Sequence, residues 1–548
     1  MRAYLAALRI TGLAGCVVGA AVGCLPWQPI WPTFSIYGGL RGAAIGWLAG
    51  AVLAVPVGRL RPAPPRAQSR LRSAARCAIT ILALAPALLW ITLAPPGGPL
   101  RQAMEWGRTS QDQRPNLILI TIEATRPDHL GAYGSKLGLT PNLDAFAQEA
   151  TRYDSAYVSS SWTLPSLAAL FTGLQPSQCV LEAPGGAEHI GEVAYRLRPR
   201  VPLLSEQLAR QGYATVAELT NHLLSRDRGW SRGFEFFRNE SSIEDYSVDL
   251  AAGGNVTKRA SEWLRRNRHE PLFLWLHYFD PHVPYDSPDT PASLRARYPT
   301  GWTAHRKQWM DTMRFASPEK RKQYQQFCRE MYSEEVRYAD KCVGELLAQI
   351  KAAGLYDRSL IAITADHGEE LFDRGDEMEH GHTMRKPVVW VPLLVKWPRG
   401  VEADRRIRQT VEMADLHGTL LKSAKAVADD ADVRELPRRD GAKGQEVFSE
   451  WIYYGKQQTA LTTDDYRVLY HPEAGEGQPR FEVYDRHRDP DEKHDLAATK
   501  IAMELRGRLQ QMTEIALKRR AASAGEGGPA PAMSEKEKRD LKSLGYVQ

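Results

Sequence analysis

Hydrophobic positions fall into two kinds of run along this chain. Near the N-terminus the runs are long: Leu5 to Leu25 and Tyr37 to Val57 are each about the 20 residues that a bilayer-spanning helix needs, and Cys77 to Ala94 is slightly shorter. Farther on they shrink to strand length. Leu117 to Ile122, Leu272 to Leu276 and Leu360 to Thr364 are continuously apolar and too short for helices, so they predict fully buried strands. Thr140 to Tyr157 predicts a helix capped by T-P-N, with Pro141 in its first turn. From about Gln445 the runs become short: Glu446 to Trp451, Gln458 to Thr462, Tyr466 to Tyr470 and Arg480 to Tyr484 predict an antiparallel sheet, with a helix over Ile501 to Leu517 against it.

The polar residues between the long runs orient them. Arg59, Arg61, Arg66, Arg70, Arg72 and Arg76 lie between the second and third runs with no acid among them, and cytoplasmic loops carry such an excess of positive charge. Arg2 and Arg9 put the N-terminus on the same side, so three transmembrane helices leave everything from about Pro95 outside the cytoplasmic membrane. Gly15, Gly19 and Gly23, and Gly42, Gly46 and Gly50, are spaced for close helix packing within a hairpin, or alternatively for a dimerisation face. A secretion signal ending near Cys24 is a weaker reading, because two further spans follow it. The chain then divides into an anchor (1–94), a Pro/Gly-rich linker (95–114), a large α/β domain (115–444), an α+β subdomain (445–520) and a flexible tail (521–548).

Composition narrows the partners. A net charge of +6 over 548 residues is modest, and the basic residues form no aromatic-interleaved stripe, which argues against nucleic acid. Of six cysteines, Cys16, Cys24 and Cys77 lie in apolar segments and Cys179, Cys328 and Cys342 lack metal-ligand spacing. Pairing among the last three is left open. The helical spacing of Glu334, Glu335, Asp340 and Glu345 predicts a solvated face, with a lid over a site as the sharper alternative.

Candidate chemistry sits where the buried strands end. Glu123 closes the first apolar run, Asp366 and His367 follow Leu360 to Thr364, and His282 follows Leu272 to Leu276. Open α/β sheets place ligands outside the carboxyl ends of their strands, so these side chains are expected to converge. The order strand, acid, R-P-D-H-L-G-A-Y-G, T-P-N-L-D, P-S with T-G soon after, then D-P-H-V-P-Y, T-A-D-H-G-E-E, E-H-G-H-T, V-P-L-L-V-K-W-P and V-Y-D-R-H-R-D-P-D-E resembles the sulfatase family of the alkaline phosphatase superfamily, over roughly Arg114 to Leu496. The resemblance implies a three-layer α/β/α sandwich with a mostly parallel central sheet and a small C-terminal antiparallel subdomain. It also implies one divalent metal ion and an anionic sulfate- or phosphate-ester substrate.

The chain departs from that family where the chemistry is decided. In register, Thr163 takes the nucleophile position that is cysteine or serine in sulfatases, and Leu167 replaces a following arginine. Sulfatases oxidise that cysteine or serine to a formylglycine, which a threonine cannot become. A threonine hydroxyl can instead bind a metal and attack phosphorus in line. Threonine here resembles the lipid-linked phosphoethanolamine and phosphoglycerol transferases, and by position Glu123, Thr163, Asp366 and His367 become metal ligands. Imidazole in the set favours zinc or manganese over calcium or magnesium. His282 matches the family's substrate histidine, and His380 a position that is lysine or histidine in relatives; either can be the general acid. His277 and His382 are second-shell candidates, His382 also near substrate, against a structural reading for each. Asp128 and His129 read as loop scaffold. Arg385 and Lys386 are candidates for attracting an anion or plain surface charges.

Three functions follow as alternatives. The first is a membrane-tethered metalloenzyme that hydrolyses or transfers a phosphate ester of an envelope lipid or glycan through Thr163. The others are a sulfuric ester hydrolase and a catalytically silent membrane binding protein.

Overall fold

The computed structural model describes residues 114–523 apart from 183–194, 240–252, 267–270, 429–431, 442, 451–456 and 473–478. The three expected membrane spans lie outside the described residues, as does the tail from 524. Among the described residues no helix is long and apolar enough to cross a membrane.

A nine-stranded sheet forms the centre. In chain order its strands are β1 (Asn116–Ile122), β2 (Thr151–Tyr157), β3 (Ala214–Leu219), β4 (Phe236–Asn239), β5 (Leu272–Tyr278), β6 (Ser359–Ala365), β7 (Trp390–Val391), β8 (Leu393–Lys396) and β9 (Arg405–Glu412). Strands β6, β1, β5, β3 and β4 lie side by side and parallel. β7 and β8, separated by Pro392, run antiparallel to β2, and β8 also to β6; β9 pairs with β2 in parallel.

The continuous apolar runs have a simple cause: both faces of the sheet are covered. Leu117, Leu119, Phe273, Trp275, Leu360 and Ala362 point into one apolar layer with the helix α2 (Thr163–Thr172). Ile118, Ile120, Leu274, Leu276, Ile361 and Ile363 point into the other, against α1 (Pro141–Gln148), α3 (Gly253–Arg266) and α4 (Pro318–Ala352). Successive strand residues face opposite ways, so a strand with two buried faces has no polar alternation left to show.

Three local expectations are corrected. Thr140 to Tyr157 is not one helix: α1 stops at Gln148 and Thr151–Tyr157 is β2. Its alternating buried positions are bonded into the sheet by partners 240 to 260 residues away in sequence, which override local helical pattern. The α1 cap is also different. The Thr140 side chain makes no cap bond; buried Asp340 accepts from the Asn142 and Leu143 backbone N–H groups at 3.1 and 2.8 Å. Glu335 and Asp340 are therefore not on a solvated face; both are buried in α4. Cys179, Cys328 and Cys342 are free and buried.

The C-terminal expectations stand. β10 (Val447–Ser449), β11 (Thr459–Thr462), β12 (Tyr466–His471) and β13 (Arg480–Asp485) make a four-stranded antiparallel sheet, and α6 (Lys500–Ser523) packs its apolar residues against it. The helix α5 (Leu416–Ser423) packs against α2 and is almost wholly buried.

Candidate active site

Register brings the chemistry together. Ile122 in β1 pairs with Tyr278 on one side and Ala365 on the other, so Glu123, Phe279 and Asp366 leave three neighbouring strands at one level. The backbone turns at once: Ala124 has φ 47°, and its N–H donates to Asp366 Oδ1 at 3.1 Å. This strained turn fixes Asp366 against Glu123. Thr163 is the first residue of α2, whose cap position is Trp162, so its hydroxyl is not spent as a helix cap. It donates instead to Glu123 Oε1 at 2.5 Å.

Two more atoms meet there. His367 Nε2 lies 3.4 Å from Thr163 Oγ1, 3.4 Å from Glu123 Oε1 and 3.3 Å from Asp366 Oδ2. The other ring nitrogen, Nδ1, donates to the Gly368 carbonyl at 2.8 Å, which leaves Nε2 as the atom turned toward the two carboxylates. Asp366 Oδ2 is buried and has no hydrogen bond. Separations of this size match a tetrahedral zinc with bonds of about 2.0 Å, whose ligand atoms stand about 3.3 Å apart. Electrostatics agree. Burial and the neighbouring Glu123 charge push Asp366 up to about 7. Burial opposes protonation of His367, yet Asp366 and Glu123 outweigh it and raise the imidazole to about 9. Buried carboxylates that hold a proton on a neighbouring imidazole have charge to spare for a cation, and the donor set fits one.

Glu123 Oε2 is held from behind. It accepts from Asn221 Nδ2 at 2.8 Å and lies 2.6 Å from His277 Nε2, whose Nδ1 is 2.7 Å from Thr121 Oγ1. Burial works to raise Glu123, but the hydrogen bonds with His277 and His367 prevail and hold it well below the carboxylate range. His277 is thus part of the site rather than a separate structural histidine. Asn221 went unnoticed in the sequence; it lies two residues beyond β3, capping the short turn His222–Leu224, and a polar residue just past a buried parallel strand was the usable signal. Replacement of His277 by alanine should weaken metal binding by about 10- to 100-fold, measured by chelator competition, because the carboxylate loses its orienting partner.

His282 and His380 form the opposite wall. Their ring centroids are 5.0 Å apart, and His380 is 4.1 Å from His367. Ligating atoms of Glu123, His282 and His380 lie within 4.8 Å of one another. Burial lowers both imidazoles, His282 to about 3 with His380 adding to it. His282 Nδ1 donates to the Val283 carbonyl at 2.5 Å, and His380 Nδ1 is 3.1 Å from Glu369 Oε1. His382 stands apart: its Nδ1 is 3.4 Å from the His380 carbonyl and its Nε2 is 3.9 Å from Glu377.

The scaffold residues also find places. Arg126 holds Asp128 and Asp373 through paired guanidinium bonds, tying the loop after β1 to the loop after β6, and His129 packs edge-on against Tyr332. Arg385 pairs with Glu482 at 2.9 Å, while Lys386 donates to the Pro490 carbonyl and lies 4.7 Å from the Trp390 ring centre. Both cations join the α/β domain to the C-terminal segment.

Known proteins point to the same family. The sulfatase family model matches residues 115–426. The arylsulfatase of Klebsiella aerogenes is 23% identical over 317 residues, spanning 47% of this chain and 67% of the relative. The sulfatase YidJ of Escherichia coli (strain K12) is 22% identical over 439 residues, spanning 70% and 83%. Among solved structures, the sulfatase yidJ from Bacteroides fragilis superposes with TM-score 0.59 at 19% identity, covering 76% of this chain and 99% of that one. The phosphonate monoester hydrolase of Agrobacterium radiobacter gives TM-score 0.54 at 18% identity, covering 75% and 96%.

Proposed function

Since the chain belongs to the sulfatase family and is a hydrolase of sulfate or phosphate esters, we propose that Thr163 is its nucleophile and that phosphate esters of an envelope lipid or glycan are its substrates. The observation that carries this reading is the Thr163 hydroxyl itself, donating to Glu123 and 3.4 Å from His367 Nε2.

In this reading Glu123, Thr163, Asp366 and His367 hold one divalent cation, zinc or manganese. That ion would lower the hydroxyl's pKa and screen the charge of the incoming anion. Thr163 Oγ1 forms a bond to phosphorus as the bond to the leaving alcohol breaks in line, giving a phosphothreonine. Glu123 Oε1 receives the hydrogen bond of the Thr163 hydroxyl and is the nearest acceptor for its proton. His282 and His380, on the opposite wall, face the transferred group and the leaving oxygen; burial keeps both imidazoles neutral until the negative charge of the ester is beside them, and one of them, then protonated, supplies the proton that this oxygen takes up. Water, or an alcohol acceptor, then releases Thr163. The apolar N-terminal runs and the arginine-rich loop support a multi-pass anchor in the cytoplasmic membrane, with the catalytic domain outside it.

The names of the relatives favour a second reading, hydrolysis of sulfate esters by the same constellation. For a member of a hydrolase family a silent binding protein is no longer an alternative. The two readings separate by experiment. Purified with its metal, the full chain should turn over an aryl phosphate faster than the matching aryl sulfate, and mass spectrometry of the quenched reaction should find a phosphate-bearing adduct on Thr163. Faster sulfate turnover with Thr163 unmodified would establish the second reading instead.

A further inference from the structure

A cavity of about 280 Å³ opens beside the reaction centre, and His282 lines both. Its walls are aromatic: Phe279, which stacks on His282 at 4.3 Å, Tyr285, Trp302 and Phe327. Its carboxyls outnumber its guanidinium and ammonium groups. Asp280, Asp286 and Glu335 line it, against Arg295 as the one arginine or lysine in the lining, and Arg295 is paired with Asp286. His305, also in the wall, accepts from the Lys307 N–H through Nδ1.

Burial pushes the Asp280 carboxyl up to about 6, and burial with Asp280 close beside it raises Glu335 well above the carboxylate range, as two carboxyls competing for one proton do. Each is fixed by backbone: Asp280 Oδ2 accepts from Gly253 N–H and Glu335 Oε1 from Asp286 N–H, both at 2.6 Å. The cavity lining thus brings two carboxyls of one site together with aromatic faces. Aromatic faces attract cations through the ring quadrupole, and most strongly where water is displaced.

Resting on the proposed ester chemistry, we propose that this cavity receives the alcohol half of the substrate and selects an alcohol that carries an ammonium group. The transferred anion then lies on the Glu123 side of His282, and the cationic leaving group lies on the Asp280 side. The reaction centre is built at the ends of β1, β5 and β6, whereas Trp302 and His305 come from the segment between β5 and α4.

Matched pairs of product-like alcohols test the charge alone: tyramine against tyrosol, and glucosamine against glucose, titrated calorimetrically into the full chain in detergent micelles. The expected result is that each amine binds at least about tenfold more tightly than its uncharged partner. Either single isostere, Asp280→Asn or Glu335→Gln, leaves one carboxylate ionised and should keep the preference. The double variant removes the charge and should bring the ratio to about one. Trp302→Leu should cut the preference several-fold with the carboxyls intact, and it provides the test if the double variant does not fold. Equal binding of amine and neutral partner by the unaltered protein, or a ratio unmoved in a folded double variant, would overturn the proposal. Binding of inorganic phosphate or sulfate reads the reaction centre separately: its absence with the amine preference intact would sink the ester reading and leave the cavity's selectivity standing.

Discussion

Replacement of Thr163 by alanine should lower kcat/KM by at least about 10⁴-fold on whichever ester the enzyme turns over, because losing a nucleophile removes the covalent route altogether. Little else should change. The side chain makes no helix-capping bond, and Glu123 keeps its bonds with His277 and Asn221. The thermal midpoint should therefore stay within a few degrees, which separates lost chemistry from lost structure. Thr163→Ser keeps the hydroxyl and should retain measurable turnover. An alanine variant with more than a tenth of the parent kcat/KM would remove Thr163 from the reaction and leave a water held among Glu123, Asp366 and His367 as the attacking group.

How far this site could be read in advance depended on distance along the chain. β1, β5 and β6 were visible as apolar runs because both their faces are buried, and each ended in the polar residue that the site uses. The sheet rule then brought Glu123, Asp366 and His367 together without any structure. β2 was invisible for the opposite reason. Thr-Arg-Tyr-Asp-Ser-Ala-Tyr carries no run, and only pairing with β7, β8 and β9 makes it a strand. Asp340 and Glu335 misled because helical spacing alone cannot say which face meets a neighbour. Asp340 faces the start of α1, from which it is separated by nearly 200 residues. His277 sat in plain view at a strand end, yet whether a buried histidine touches a ligand or only its backbone depends on a register that sequence does not print.

The support of His380 was the least legible part, and it yields the second large effect. The loop that carries His380 runs on through Thr383 and Met384 to the C-terminal sheet. There the Gln458 side-chain oxygen accepts from Thr383 Oγ1 and from the Met384 N–H. Arg467 completes the attachment with one planar fork: Nε to Glu492 at 2.6 Å, Nη1 to Thr462 Oγ1 at 2.9 Å and Nη2 to the Met384 carbonyl at 2.5 Å. Its side chain is 1% exposed and that of Glu492 4%. Arg467→Met should cost about 3–5 kcal/mol in denaturant unfolding, since it strands the Glu492 carboxylate away from water. Arg467→Lys should rescue little, because a point charge cannot reach three acceptors set for a fork. Exchanging both partners, Arg467→Met with Glu492→Leu, should recover most of the stability by removing the orphaned charge along with its partner. Turnover should not recover in step, because the Met384 carbonyl still lacks the guanidinium that anchors the His380 loop. Parallel recovery of stability and kcat in the double variant would show that the C-terminal subdomain adds stability without positioning His380.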